Sequence, residues 1–295
     1  MVHYRAWPEV RSTIDGLLAQ TRRPDELVLL DHASGDGSPS HIRAAYPQLD
    51  LVEAPDNRGP AGGLQRLVKE LLSRDVDAVF LLPDDIELAP DALEQLAARL
   101  DGDPGLGAVG PLVAHQRARD VVFYAGGDIN RRTWDLKFRE QPSRLADWKG
   151  TPPQEVDFLE TGGILVRSAA ALSAGPIAEH FYYILDDVDF TLQMRSKGWK
   201  LECVPAAVAW QDLGDSSRET LLTPISPYLA VRNRLGLLAR NAPRRMLARE
   251  LLRVVSWLVR DAVRPRTGSR AGLKPAAMGL VDFCRGRWGP PPAGV

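Results

Sequence analysis

Short apolar runs alternate with helix-like segments over the first hundred residues, and this alternation restricts the possible folds more than any other feature. Residues 27–30 and 78–82 are apolar runs of buried-strand length, and 49–53 is a third strand candidate. Apolar residues at helical spacing fill the gaps, beginning at Pro8 and again at Asp91. The sequence therefore predicts an α/β protein with a mostly parallel sheet covered by helices. Such sheets bind ligands beyond the C-terminal ends of their strands, so polar residues there are the first site candidates.

The composition is that of a folded intracellular protein. The 295 residues are 44% hydrophobic and 25% charged, which excludes a mainly disordered or fibrous chain. Two cysteines, Cys203 and Cys284, are too few for a disulfide framework or a zinc cluster and favour a reducing cytosol. We expect a cytoplasmic location, because no apolar stretch reaches the roughly 18 residues that span a bilayer and the N-terminal pattern is not that of a secretory signal.

Charge divides the chain into two parts of opposite sign. Residues 1–225 carry 23 basic and 35 acidic side chains, a net charge of −12, whereas residues 226–295 carry 14 and 3, a net charge of +11. We expect the first part to form the main domain, with its first strand cut short by a late start of the chain. The second part is expected to be a basic helical extension that ends in a disordered tail.

The basic part contains an amphipathic segment over 244–260. A helix there would align five apolar side chains on one face, namely Leu247, Leu251, Val254, Val255 and Leu258. Two interpretations stay open. The segment packs on the acidic main domain, or residues 244–266 dock on an anionic membrane surface with Trp257 at the level of the headgroups. We expect no nucleic-acid partner, because no recognised motif accompanies the arginines.

Two polar segments lie at places where this class of fold binds ligands. Asp31 ends the first predicted strand, and Ser34 and Asp36 follow in a loop. A carboxylate at this position can accept hydrogen bonds from a nucleobase or a ribose. The same residue types also form ordinary turns. The glycine-rich helix start at 57–63 exposes backbone N–H groups that suit a phosphate. A tight turn with close helix packing would need the same glycines.

A pair of carboxylates, Asp84 and Asp85, directly follows the apolar run 78–82. Buried carboxylates are costly unless they bind a cation or hydrogen-bond donors, and a divalent ion that bridges to a diphosphate would meet that need. The alternative is an acidic turn before the helix that begins near Asp91.

Three carboxylates, Asp186, Asp187 and Asp189, follow an aromatic, strand-like stretch at 181–185 and open a helix that ends near Gly198. Crowded carboxylates raise one another's pKa, which is one way to make a general base. The same residues could also simply stabilise the helix N-terminus.

These motifs, in this order, resemble family-2 glycosyltransferases, which have the GT-A fold, and within them the bacterial rhamnosyl- and galactofuranosyltransferase branch. The resemblance covers about residues 3–240, and several motifs in one order are more specific than any one alone. The segments that carry it are His3-Tyr4-Arg5, residues 20–26, 31–38 and 57–63, Thr161-Gly162-Gly163, residues 186–189, and the late element from Tyr228 to Asn233.

The resemblance implies a Rossmann-like GT-A catalytic domain and an inverting transfer of a rhamnose- or galactofuranose-like sugar. The donor would be a UDP or dTDP sugar, and the acceptor a hydroxyl of a glycan, a lipid-linked sugar or a natural product. Asp187 would be the general base, and Asp85 with Gln211 would hold Mg²⁺ or Mn²⁺. Residues at the nucleotide sugar would be His3, Tyr4, Asp31, Ser34, Asp36, Asn57, Gly62, Gly63 and Asp84. Residues on the acceptor side would be Gly162, Gly163, Asp186 and Asp189.

Two departures from the family pattern weaken the metal assignment. Pro83 stands where relatives often carry Asp or Asn, and Gln211 where many carry His; Asp84 or Asp212 could compensate. The alternative functions are a catalytically weakened relative that binds sugar nucleotides and, less favoured, a sugar nucleotidyltransferase. The latter would need a glycine-rich basic loop after its first strand, and residues 4–7 do not resemble one.

Overall fold

The computed structural model of the protein describes residues 1–5, 7–139, 143–160, 162–211, 225–263 and 270–292. The predicted alternation of strands and helices is confirmed, and strand candidates 27–30, 49–53 and 78–82 are β2, β3 and β4. The elements up to residue 102 are β1 (Val2–His3), α1 (Trp7–Leu18), β2 (Val28–Asp31), α2 (Ser38–Ala45), β3 (Asp50–Glu53), α3 (Gly59–Leu72), β4 (Ala78–Leu81), β5 (Glu87–Leu88) and α4 (Ala92–Gly102).

The chain beyond residue 102 supplies most of a second sheet, a separate hairpin of β8 and β9, and the C-terminal helices. Its strands are β6 (Leu106–His115), β7 (Val121–Tyr124), β8 (Gly127–Ile129), β9 (Leu136–Phe138), β10 (Ser143–Arg144), β11 (Gln154–Glu155), β12 (Ile164–Arg167) and β13 (Lys200–Gln211). Its α-helices are α5 (Ser168–Ala174), α6 (Asp186–Ser196), α7 (Ile225–Asn241), α8 (Arg244–Val263) and α9 (Arg270–Cys284).

The first sheet is parallel, in the order β1-β2-β3. All four residues of β2 are buried, which explains why the strand appears in the sequence as an apolar run that ends at Asp31. Helix α1 presents Val10 and Ile14 to the core, both fully buried, at the spacing of one helical turn. Because the strands are parallel, the residues that follow β1 and β2 emerge at the same edge.

The second sheet is mixed and centres on β6. Strand β13 runs parallel to β6, while β12 and β7 pair with β6 antiparallel and β12 also pairs with β4. The C-terminal end of β13 pairs with β5, placing Trp210 opposite Glu87. This pairing brings the end of β13 next to the turn that follows β4, where the acid pair stands.

The C-terminal helices pack closely on one another. A Cβ at Gly279 of α9 would lie 2.4 Å from the carbonyl oxygen of Tyr228 in α7, so only glycine permits this approach. The Tyr228 hydroxyl donates to the buried carboxylate of Asp282 at 2.9 Å. None of the described helices is long and apolar enough to cross a membrane. At the predicted disordered end, residues 290–292 are described without helix or strand, and 293–295 lie outside the described residues.

Candidate functional site

The nucleotide-side candidates meet where β1 and β2 end. Imidazole Nε2 of His3 lies 3.0 Å from the Ser38 hydroxyl, and its Nδ1 lies 3.5 Å from the Asp84 carboxylate. Ser38 also donates through its backbone and its hydroxyl to Asp36, which lowers the pKa of that exposed carboxyl. The ends of β1 and β4 and the start of α2 are therefore joined by one polar network. Tyr4, by contrast, is exposed, with its ring 5.0 Å from the Arg5 guanidinium.

Asp31 is buried at the end of β2, and only one of its two carboxylate oxygens has a hydrogen-bond donor within the described residues. Its Oδ2 accepts the Ser34 N–H at 3.2 Å, whereas its Oδ1 has no hydrogen-bond partner within the described part of the chain. Ala33 adopts a left-handed φ of 57°, which lets the chain turn sharply back over the carboxylate. A buried acceptor without a donor is costly, so this oxygen suits a ligand N–H or hydroxyl.

The glycines at the start of α3 are explained first by packing. Asn57 accepts the N–H of Gly59 at 2.8 Å and forms the turn that starts the helix. A Cβ at Gly59 would lie 2.5 Å from the Tyr182 ring, and one at Gly63 would lie 2.8 Å from the His32 ring. A Cβ at Gly62 would likewise meet its neighbour Arg58 at 2.5 Å. The tight-turn interpretation therefore accounts for these residues, and contact with a phosphate stays a prediction.

The acid pair after β4 is held in place by neighbouring elements. The Thr13 hydroxyl donates to the carbonyl oxygens of Asp84 and Ile86, which fixes the turn between them. The Gln211 amide donates to the Asp85 carboxylate at 2.7 Å. Burial and the charge of Asp84 raise the pKa of Asp85 to about 6.

The residues present offer a divalent cation an incomplete site. Within the described ranges no three His, Cys, Asp or Glu side chains form a metal-binding group, and Asp212 lies outside them. Asp85 can supply carboxylate oxygens, and Gln211 its amide oxygen if the amide is turned over. A cation would offset the unfavourable burial of the Asp85 charge. Asp85 and Gln211 therefore fit an ion whose remaining ligands come from phosphate and water.

The glycine segment at 162–163 lies beside this acid pair. A Cβ at Gly162 would stand 3.5 Å from the Gln211 amide oxygen, and Gly163, with a φ of 103°, packs against Ile86 and Leu82. Thr161 lies outside the described residues.

The three carboxylates at the start of α6 have different surroundings. Asp189 is fully buried and is bound by Arg240 at 3.0 Å and by Asn241 at 2.6 Å, which ties α6 to α7. Burial and its two acidic neighbours raise the pKa of Asp186 to about 8. Asp187 alone keeps its side chain partly exposed, and its carboxylate accepts the Val188 N–H at 2.7 Å. Asp187 is therefore the carboxylate of the three that a ligand hydroxyl can reach.

The segment before α6 is not strand-like, and that prediction is wrong. Glu179–Phe181 is a 3₁₀ turn, and then Tyr182, Ile184 and Leu185 take left-handed φ values of 69°, 71° and 70°. Such conformations cost non-glycine residues about 1–3 kcal/mol each, and they cluster at functional sites. The surrounding structure must therefore hold this segment in place.

Arg232 and Asn233, two buried residues of α7, hold this segment in place. In the sequence they stand out only as part of the Tyr228–Asn233 element of the family resemblance. The Asn233 amide nitrogen lies 2.7–3.1 Å from the carbonyl oxygens of Phe181, Tyr183 and Ile184. Arg232 donates to the same Phe181 oxygen at 3.0 Å. The available signal was a pair of adjacent polar residues, Arg232 and Asn233, among apolar residues of α7, since polar residues stay buried only where they find partners.

Tyr124 is a further residue that the sequence did not single out. Its buried hydroxyl accepts the Glu160 N–H at 2.7 Å. Burial, followed by the carboxylates of Glu160 and Asp187, raises its pKa well above the ordinary value. The neighbouring Leu159 N–H donates to the Thr191 hydroxyl at 3.2 Å, and that hydroxyl donates to the Asp187 carbonyl oxygen, also at 3.2 Å. On the other side, Gly162 approaches Gln211, the partner of Asp85.

Known proteins with similar sequence or fold are glycosyltransferases. The model of glycosyl transferase family 2 matches residues 1–152, just over half of the chain. Two curated relatives, from two strains of Mycobacterium tuberculosis, are N-acetylglucosaminyl-diphospho-decaprenol L-rhamnosyltransferases. Each is 24% identical to the chain over 228 residues, which cover 70% of this chain and 72% of the relative.

Two solved structures illustrate the shared fold. A mannosyltransferase from Pyrobaculum calidifontis, in complex with GDP-Man and Mn²⁺, matches with a TM-score of 0.57 and 16% identity, over 96% of this chain and 85% of that one. A structure of GalNAc-T7 with UDP, GalNAc and Mn²⁺ matches with a TM-score of 0.56 and 14% identity. The match covers 79% of this chain but only about half, 49%, of that protein's chain.

Proposed function

Because the chain belongs to glycosyl transferase family 2, we propose that it is an inverting enzyme that moves a sugar from a nucleotide-diphosphate donor to an acceptor hydroxyl. The transferred sugar is rhamnose- or galactofuranose-like, and the donor is a UDP or dTDP sugar. The acceptor is a glycan or lipid-linked sugar at the cytoplasmic side of the cell membrane. The names of the curated relatives support the sugar and the lipid-linked acceptor.

One observation carries the proposal: Leu159 and Gly162, three residues apart in the chain, contact the neighbours of the candidate base and of the acid pair, respectively. The Leu159 N–H donates to the Thr191 hydroxyl at 3.2 Å, and that hydroxyl donates to the carbonyl oxygen of Asp187. Three residues after Leu159, Gly162 approaches Gln211, which is bonded to Asp85. A donor whose diphosphate lies at Asp85 would thus have its sugar near an acceptor hydroxyl held at Asp187.

In this mechanism Asp187 accepts the proton of the acceptor hydroxyl as its oxygen attacks the anomeric carbon. The bond from that carbon to the diphosphate oxygen breaks on the opposite side, so the configuration inverts. Burial and the charge of Asp187 raise the pKa of Asp186, which favours its protonated form and limits the negative charge beside the base. A divalent ion bound at Asp85 would neutralise charge on the departing diphosphate. The Oδ1 atom of Asp31, which has no hydrogen-bond donor within the described residues, would accept a hydrogen bond from the nucleoside.

A second candidate is a relative that binds sugar nucleotides without efficient transfer. The incomplete set of metal-ligating residues around Asp85 favours this candidate, since Pro83 and Gln211 replace residues that members of the family often use to bind the metal. A catalyst releases the nucleoside diphosphate when an acceptor is present, whereas a binding protein does not.

Thermal unfolding with UDP, dTDP and GDP sugars, with and without Mn²⁺, tests the donor assignment. A ligand at a hundred times its Kd stabilises the native state by about 2.7 kcal/mol, which is a measurable rise in Tm. We expect stabilisation by a UDP or dTDP sugar that Asp31→Ala reduces and that the control Asp101→Asn, an exposed residue on α4, leaves unchanged. Stabilisation by none of these donors would contradict the proposal.

A further inference from the structure

Helix α8 buries its acidic residues and exposes apolar ones, the reverse of an ordinary surface helix. Its two acids, Glu250 and Asp261, are only 6% and 4% exposed. Glu250 pairs with Arg253 at 2.5 Å, and Asp261 accepts the indole N–H of Trp257 at 3.1 Å. Trp257 therefore points toward the protein and does not stand where a headgroup contact would place it.

The outer side of α8 carries a continuous apolar row. Leu252, Val255, Val259 and Val263 are between 46% and 73% exposed. Their spacing of three, four and four residues places them on one face of the helix. Of the stripe expected from the sequence, Leu247, Leu251, Val254 and Leu258 are at least partly covered, while Val255 belongs to the outer row. The helix thus packs on the protein with one apolar side and leaves another uncovered.

Exposed arginines surround this outer row, and three of them have no acidic counterpart within the described residues. These are Arg244, Arg245 and Arg249, in the first half of α8. Arg260 adds a further exposed guanidinium near the C-terminal end and pairs with the buried Asp261 at 3.4 Å. Because both acids of the helix are buried, its outer side presents positive charge next to apolar surface.

We infer that the outer face of α8 docks on an anionic phospholipid bilayer. Apolar side chains would enter the interface while the arginines reach anionic headgroups. Each arginine near such a surface changes the affinity by about fivefold, and the attraction fades within about 8–10 Å. A second copy of the chain is a poor occupant, because self-pairing would bring two acid-free, basic faces together.

This inference goes beyond the proposed reaction, since binding to a bilayer requires neither donor nor acceptor sugar. Co-sedimentation of the full-length chain with vesicles therefore tests it independently of activity. We expect binding to vesicles of phosphatidylcholine with phosphatidylglycerol, release at high salt, and no binding to phosphatidylcholine alone. Equal binding to both vesicle types, or to neither, would overturn the proposal.

Paired variants distinguish binding through the outer face of α8 from non-specific adsorption of the protein to vesicles. Leu252→Ser with Val259→Ser should weaken binding by more than about tenfold, because both exposed apolar side chains would lose their contact with lipid. Leu172→Ser, a comparably exposed leucine on α5, should have no effect. Arg245→Gln with Arg249→Gln should weaken binding more than Arg23→Gln, an exposed arginine before β2.

Folding of each variant is checked by its Tm and circular dichroism before the vesicle assay. Unchanged binding by the folded Leu252→Ser/Val259→Ser variant would refute the assignment. A dimer that this variant abolishes, without any vesicle binding by the unmodified chain, would assign the face to a second copy and equally overturn it.

Discussion

Replacing Asn233 with alanine should disable the enzyme without touching any group that contacts the ligands. The Asn233 amide has two N–H groups within 2.7–3.1 Å of three carbonyl oxygens. Two hydrogen bonds contribute about 1 kcal/mol each, and carbonyl groups left buried without donors add to the loss. The left-handed residues at 182, 184 and 185 cost about 1–3 kcal/mol each and would then relax.

Relaxation of this segment would displace Asp187, the next residue but one after Leu185. A displacement of about 1 Å at a reacting group can lower the rate about 10²-fold. We therefore expect kcat of Asn233→Ala to fall by about that factor, with a loss of about 2–4 kcal/mol in the free energy of unfolding. The KM for the donor should change less than kcat, because His3 and Asp31 are bonded through β1, β2 and α2, whereas the start of α3 contacts this segment through Tyr182.

The assay measures kcat and KM for the donor together with Tm. Asn233→Asp keeps the volume of the side chain but places a carboxylate oxygen, which cannot donate, against the carbonyl oxygens. Its kcat should therefore fall at least as much as that of Asn233→Ala. Gln193→Ala is the control, because it removes one hydrogen bond between α6 and α7 at 2.9 Å without touching segment 181–185. A folded Asn233→Ala enzyme with kcat within twofold of the unmodified protein would refute the positioning role.

Two further predictions concern carboxylates with raised pKa values. Asp85→Ala should weaken donor binding and abolish stimulation of the activity by Mn²⁺. In the unmodified protein that stimulation should grow as the pH rises through about 6, where Asp85 loses its proton. Activity of the unmodified protein that EDTA leaves unchanged would contradict the assignment of a metal site at Asp85. Asp186 holds its proton in the folded state up to about pH 8, while an unfolded Asp ionises near pH 4. The protein should therefore lose stability as the pH rises between these values, and Asp186→Asn should flatten this slope in urea unfolding; parallel slopes would show that Asp186 is not buried as described.

The central strand of the first sheet could be predicted from the sequence because β2 is short and fully buried, and its residues 28–30 are all apolar. Strand β3, at the edge of this sheet, has an exposed acidic residue at each end and gives a weaker signal. The pairing of β12 between β4 and β6 could not be predicted in the same way. Strand direction and neighbours depend on contacts between distant segments, which local periodicity does not record.

The site shows the same division between local and distant information. Carboxylates at Asp85 and Asp187 could be found because acids after a strand or at a helix start are visible in the sequence. The aromatic residues at 181–185 favoured a strand by local propensity, but Asn233, about fifty residues later, holds them in another conformation. A hydrogen-bond partner so distant has no signature in the local pattern.

Acceptor-dependent release of nucleoside diphosphate by Asp187→Asn tests the central claim most directly. Loss of a general base lowers the rate about 10²–10⁴-fold, so we predict near-complete loss of turnover with the donor Kd almost unchanged. The unmodified protein should give a product of inverted anomeric configuration by NMR. Turnover by Asp187→Asn above about a tenth of the unmodified rate, with normal donor binding, would contradict the assignment of Asp187 as the base.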